Sequence, residues 1–161
     1  MIDVYVNVNQ AMDAADPHFE TRVRGSFERQ AAMRTLGVAL GSVAAGEVVL
    51  RMLHRPELTQ QHGFIHAGIL TAALDSACGY AAFSLMPADA AVLTIEFKVN
   101  LLAPARGPRF VFEGRVIKPG RTISVVEGRA LQTDADGAAE KLVATMTATV
   151  MTVLGRDTIQ H

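Results

Sequence analysis

Apolar and polar positions alternate most cleanly between residues 92 and 102. There Leu93, Ile95, Phe97, Val99 and Leu101 fall on one side and Thr94, Glu96, Lys98 and Asn100 on the other. A period of two predicts a strand with one buried face. Upstream the period changes. Ile69, Leu70, Ala73, Leu74, Ala77, Ala81 and Leu85 recur at helical spacing and predict a helix over 67–85, closed by Pro87. Asp75 is the only acid in that segment. Two short β-rich runs, Val38–Ala44 and Glu47–Leu53, meet at Ala45-Gly46 and predict a hairpin that ends before Pro56. An earlier helix is predicted over 26–36, with Ser26 as N-cap, Phe27, Ala31 and Leu36 on one face, and Gly37 as its stop. Further strands are predicted over 110–118, 122–133 and 142–153. Pro119-Gly120 suits the central positions of a type II turn, and 134–137 supplies the next turn.

The predicted order is helix, two strands, one long helix, then four strands in a meander. Antiparallel strands around a single long helix make an α+β fold. That helix is apolar over much of its circumference, so a sheet must wrap it or a partner must cover it. This arrangement is the hotdog fold. Residues 1–25 read as an N-terminal extension, within which Val4, Val6 and Val8 alternate like a short strand. Residues 26–155 form a single domain and 156–161 a polar tail.

Composition narrows the function classes. Half of the 161 residues are hydrophobic and 19% are charged, as in a compact fold. A formal net charge of −1 gives no overall electrostatic footprint for nucleic acid or an anionic membrane. The single cysteine, Cys78, excludes an intrachain disulfide and a multi-cysteine metal site. With no apolar run of spanning length and no secretory leader, a cytoplasmic protein is expected.

The densest polar and glycine cluster is Gln60-Gln61-His62-Gly63-Phe64-Ile65-His66-Ala67-Gly68, at the start of the long helix. His66-Ala67-Gly68, Leu74-Asp75 and Gly79 resemble the H-G-G-x(4)-L-x-D-x(3)-G signature of PaaI-type hotdog acyl-CoA thioesterases. The resemblance extends through the strand at 94–105 and through Lys118-Pro119-Gly120-Arg121-Thr122, covering roughly residues 33–153. It implies an acyl-CoA substrate, with coenzyme A entering as part of that substrate and no separate cofactor. It also implies sites at dimer interfaces, in a homodimer or a dimer of dimers. Two departures from the family pattern matter. Ala67 replaces the first glycine of the pair, keeping the backbone N–H but adding a methyl group. Gln60 stands where the family often has Asn, six positions before the motif histidine.

The chemistry is consistent with that resemblance. Thioester hydrolysis needs donors aimed at a developing oxyanion, and the unpaired N–H groups at a helix start provide them. It also needs a base or nucleophile, for which Asp75 is the candidate. Ala67 and Asp75 are eight residues apart, or ~12 Å along a helix, whereas reacting groups must approach to about 3–3.5 Å. A catalytic site built from both must therefore be composite, Ala67 of one copy facing Asp75 of another.

Each candidate also has a plainer reading. Asp75 could be a solvated helix carboxylate. His66 reads as a capping residue that orients the loop. His62 and His66 lack a third nearby ligand, so no metal is expected. Thr94 matches the family's Ser or Thr beside the acid, but it shares the parity of Glu96 and Lys98 unless a bulge re-aims it. Cys78 reads as a small core residue. Gly68 is a second candidate oxyanion donor. Lys118 and Arg121, together with Arg106 and Arg109, are candidate contacts for coenzyme A phosphates, although charges at hairpin ends are commonly only solvated. Two other functions remain open from sequence: an acyl-thioester hydratase or dehydratase, and a non-catalytic acyl-CoA-binding module.

Overall fold

The computed structural model describes residues 12–137 and 140–155. The elements run α1 (Phe19–Arg29), α2 (Ala31–Leu36), β1 (Val38–Ala44), β2 (Glu47–Leu53), a 3₁₀ turn (Pro56–Leu58), α3 (Ala67–Phe83), β3 (Ala91–Leu101), β4 (Arg109–Lys118), β5 (Ile123–Thr133) and β6 (Glu140–Val153). All six strands pair antiparallel in one sheet, in the order β1-β2-β4-β5-β6-β3. The sheet curls around α3, which packs against strands from one edge to the other. The fold is α+β of hotdog type, as the sequence predicts.

The helix at 67–85 ends two residues early, at Phe83, and Pro87 lies in the turn beyond it. Its apolar circumference is used. From Leu70 to Phe83 only Thr71, Ala72 and Asp75 are not buried. Two glycines let the helix sit close to the sheet. Gly114 in β4 pairs with Gly128 in β5, and a Cβ on Gly114 would lie 2.3 Å from the Ala77 carbonyl oxygen. One on Gly128 would lie 2.9 Å from Cys78 Sγ. This glycine saddle fixes how deep α3 sits.

Four expectations need correction. The helix at 26–36 is two helices broken at Gln30, whose ψ of 93° leaves helical space. Ser26 is therefore not an N-cap; it is buried inside α1, with its hydroxyl 3.2 Å from the Tyr80 hydroxyl. Helix α1 starts at Phe19, within the segment expected as an N-terminal extension, and buries Val23 completely. Gly37 does stop the second helix, with φ 69°. The last four strands are not one meander. β4, β5 and β6 follow in sequence, but β3 crosses to the far side of β6 and becomes an edge. Nor does Gly120 take a positive φ as a type II turn requires. It is glycine because a Cβ there would lie 2.0 Å from the Ile123 carbonyl oxygen.

One ion-pair cluster holds the far end of α3. Arg22 Nη2 donates to the carbonyls of Phe83 (3.2 Å) and Met86 (2.7 Å), and its Nε donates to Asp16 at 2.8 Å. The guanidinium also lies over the Phe83 ring, 4.2 Å from its centre. A cation at a helix C-terminus satisfies orphan carbonyls and opposes the dipole. The Val4, Val6 and Val8 strand and the 156–161 tail lie outside the described residues. No helix among the described residues is long and apolar enough to cross a membrane.

Candidate active site

The N-terminus of α3 is built by a tightly hydrogen-bonded loop. The Gln60 N–H donates to the Phe64 carbonyl at 2.8 Å, and the Gly63 N–H donates to the Gln60 carbonyl at 3.0 Å. Gly63 takes φ 78°, as such a turn requires. The Gln60 side-chain oxygen accepts from the His62 N–H, so its amide is engaged in shaping the loop. The loop is then tied down at its end, where Ile65 N–H reaches the Ala105 carbonyl (2.8 Å) and His66 N–H reaches the Leu58 carbonyl (2.9 Å).

His66 is the N-cap of α3, with Nδ1 accepting from the Gly68 N–H at 2.9 Å. That bond has two consequences. The ring must carry its proton on Nε2, because Nδ1 is the acceptor. The Gly68 N–H is also already used, which removes it as a free oxyanion donor. Gly68 itself leaves room for the ring, since a Cβ there would lie 3.1 Å from Nδ1. The Ala67 N–H makes no hydrogen bond among the described residues. One unspent donor thus remains at the positive end of a 17-residue helix.

Asp75 lies two turns further along the same unbroken helix. Thr94 Oγ1 donates to Asp75 Oδ1 at 2.8 Å. The bulge that Thr94 needs is present. Thr94 pairs with Val150 and Phe97 with Ala148, so three residues of β3 span two of β6, with the irregularity at Ile95. The bulge turns Thr94 to the side of Phe97, Val99 and Leu101, facing α3, and leaves Glu96 and Lys98 on the outer face. The alternation of 92–102 is real, but it changes phase in mid-strand.

Asp75 and Thr94 share a cleft of about 350 Å³ with Gln30, Ser76, Gly79, Tyr80, Val92 and Leu93. The cleft is the mouth of the curled sheet. One lip is the edge strand β3, the other is the break between α1 and α2, and α3 forms the floor. Nothing stands within 4 Å of where a Gly79 Cβ would be, so the floor is open there. Cys78 instead faces the sheet, fully buried. Burial, with added repulsion from Asp75 and Glu127, pushes its thiol up to about 12, which removes it as a nucleophile.

Ala67 and Asp75 are not brought together within one chain, because eight helical residues separate them. Lys118 and Arg121 are elsewhere again. They border a second cavity of about 660 Å³ at the C-terminal end of α3, beside Leu85 and Met86. Arg106 stacks on Phe64, 4.6 Å from the ring centre, and supports the loop before α3. No group of three or more metal-ligating side chains occurs among the described residues. Sequence reasoning missed Gln30, Ser76 and Tyr80 as lining residues. Gln30 reaches the cleft only because the helix breaks there, and no periodicity announces that break.

The exposed apolar side chains concentrate on the same edge. Leu93, Ile95, Phe97 and Leu101 of β3 are each between 40% and 57% exposed, an unusual density for a strand that is an edge among the described residues.

A sequence profile of the thioesterase superfamily matches residues 62–139, which contain the loop from His62 onward, α3, Asp75 and Thr94. A solved thioesterase family protein from Silicibacter pomeroyi is 54% identical, with 85% of this chain and 99% of that one covered at a TM-score of 0.82. The PaaI protein of E. coli, from the phenylacetic acid degradation operon, shares the fold at a TM-score of 0.76 and 19% identity, over 88% of this chain and 98% of its own. Among curated relatives, a Saccharolobus solfataricus protein named "Putative esterase" is 35% identical over 57% of this chain, and the match spans 65% of that relative's length. The chain therefore belongs to the thioesterase superfamily and carries the hotdog fold that it shares with PaaI.

Proposed function

We propose that the protein is an acyl-CoA thioesterase that releases a free acid and coenzyme A at a site shared between two copies of the chain. The observation that carries this reading is the division of labour within α3. A carboxylate steered by Thr94 and an unspent N–H stand on one rigid helix, too far apart to serve one carbonyl. Two helices side by side in opposite directions would bring Ala67 of the partner subunit to Asp75, and two-fold symmetry would make two equal sites. The exposed apolar side chains of β3 beside the cleft, Leu93, Ile95, Phe97 and Leu101, form the surface that such a partner would cover. Association of two such dimers into a tetramer is the expected further assembly.

Asp75 is the general base in this reading. Its Oδ1 is held by Thr94, leaving Oδ2 to accept a proton from water poised against the thioester carbon. As the C–O bond forms, the carbonyl oxygen becomes an oxyanion at the Ala67 N–H of the partner subunit. Collapse breaks the C–S bond, and the proton taken by Asp75 passes to the departing thiolate. Gln60 and His66 shape the loop that presents the donor. Lys118 and Arg121, which border the cavity at the far end of α3, would meet coenzyme A phosphates at the surface in this reading.

The test is complementation in a thiol-release assay. Ala67→Pro deletes the one N–H while keeping a favoured first helical residue, and His66, at φ −60° and ψ 136°, already has the backbone that precedes proline comfortably. Ala67→Pro and Asp75→Asn should each be inactive alone. Co-expressed, half the dimers would be mixed, each with one intact site, restoring about one quarter of wild-type activity. No restoration would refute the composite site. Turnover of every thioester at the wild-type rate by Asp75→Asn would refute the base. Enoyl absorbance changes without thiol release would identify a hydratase instead.

A further inference from the structure

The wall of the Asp75 cleft opposite β3 carries a polar pair that hydrolysis does not use. Gln30 stands at the break between α1 and α2, closing the first helix through its N–H to the Phe27 carbonyl and capping the second. Its amide meets the Ser76 hydroxyl, with Nε2 to Oγ 3.2 Å and Oγ to Oε1 3.4 Å. Ser76 follows Asp75 directly and is buried. Gln30 comes from the N-terminal helices and Asp75 from the central one, yet both line one cleft with Thr94 and Gly79.

From this geometry we infer that Gln30, oriented by Ser76, determines acyl specificity: the acyl group carries a hydroxyl or other hydrogen-bonding substituent, which the Gln30 amide receives. The inference rests on the thioesterase reading above and deepens it. A primary amide offers two N–H donors and two lone pairs. The contact with Ser76 occupies at most one of each, and among the described residues no other group bonds to the Gln30 side chain. The remaining donor and acceptor lie at the lip of the cleft, where a bound acyl group and a covering partner would exclude water. An unsubstituted alkyl chain there would leave them unpaired. A substituent that can both donate and accept would satisfy them, and a site built this way discriminates by what it leaves unpaired. Tyr80 forms the adjoining wall. Its hydroxyl is within hydrogen-bond reach of Ser26, so it presents the ring to the cleft as a packing surface.

The test uses the full-length chain and three thioesters of one chain length: hexanoyl-, 3-hydroxyhexanoyl- and 5-hydroxyhexanoyl-CoA. Wild type should favour one of the hydroxylated substrates over hexanoyl-CoA by about tenfold or more in kcat/KM. Gln30→Met, close in size and unable to hydrogen-bond, should bring that ratio to about one. Ser76→Ala, which frees the amide to reorient, should reduce it. The ratio is decisive because a merely structural role would lower all three substrates together and leave it unchanged. Three results would overturn the inference: no preference in wild type, an unchanged ratio in both variants, or a uniform loss. If Gln30→Met fails to fold, Ser76→Ala carries the test alone. Absence of thiol release from every thioester would instead refute the thioesterase reading, and the inference with it.

Discussion

Thr94→Val is the substitution that probes Asp75 without touching it. Valine keeps the β-branched shape suited to a strand and replaces only the hydroxyl, so β3 and its bulge should remain. The lost interaction is a 2.8 Å hydrogen bond from Thr94 Oγ1 to a half-buried carboxylate. Hydrogen bonds to charged groups contribute about 1.5–3 kcal/mol. Two effects follow from its loss. Oδ1 loses its donor, and the carboxylate is free to rotate away from the position in which Oδ2 faces water. If the bond contributes fully in the transition state, kcat/KM falls roughly 10- to 150-fold, since 1.36 kcal/mol is tenfold in rate. KM should change little, because Thr94 holds the base rather than the substrate. The assay is thiol release on one well-turned-over acyl-CoA, with melting temperature measured in parallel. Thr94→Ser retains the hydroxyl and should restore most of the rate. A Thr94→Val enzyme within twofold of wild type, melting normally, would refute the role given to the bulge. So would a Ser variant as slow as Val.

Other perturbations test other parts of the construction. Ala67→Pro should lower kcat by about 10²–10³ without lowering the melting temperature, the cost of removing one oxyanion donor; circular dichroism and kinetics together check this. Gly114→Ala places a methyl group 2.3 Å from the Ala77 carbonyl oxygen, which is backbone and cannot swing aside. Overpacking of this kind destabilises by about 1–3 kcal/mol, read in urea unfolding as a lower midpoint. Cys78, with its thiol pushed up to about 12, should resist thiol reagents at pH 8 in the folded protein and react fully once denatured. Asp16 is held below the ordinary carboxylate range by the His18 N–H and the Arg22 guanidinium, against the opposing effect of burial. A depressed folded value stabilises above the unfolded value of about 3.8 and is lost as pH falls through the folded one. Asp16→Asn should therefore flatten the loss of stability below about pH 4, followed by thermal melts across pH.

Much of this was legible in the chain because the signals were local. The β1–β2 hairpin has its expected bounds, and α3 its expected start, because alternation, a Gly-containing turn and an N-cap act over a few residues. What was not legible depends on distant partners. Placement of β3 beside β6 rather than β4 is a pairing choice, and no residue within 91–101 records it. The break at Gln30 has no glycine or proline to mark it, and the helical pattern reads straight through. Gly114 and Gly128 lie within predicted strands, where no local signal marks a role for them. Their purpose appears only with Ala77 and Cys78 packed above them. The Thr94 site was half legible. Its residue type and offset from Asp75 were visible, but its orientation required the bulge at Ile95.

The same packing explains why the site should need a second copy. Gly114 and Gly128 let α3 sink into the sheet until all but one strip of it is covered, and that strip holds Gly68, Thr71, Ala72 and Asp75. A helix this deeply wrapped has no side left on which its own chain could supply a second catalytic group beside Asp75, apart from the two lips of the cleft. Thr94 occupies one lip and Gln30 the other. Neither serves as the oxyanion donor in this reading, since the Thr94 hydroxyl donates to Asp75 and the Gln30 amide, held by Ser76, is assigned to the acyl substituent. In this reading the missing donor comes from across the mouth, from the Ala67 N–H, which makes no hydrogen bond among the described residues and has a helix dipole behind it. Small residues along the strip keep the approach clear for another helix. Dimerisation in this reading is thus a consequence of how completely one chain wraps its own central helix.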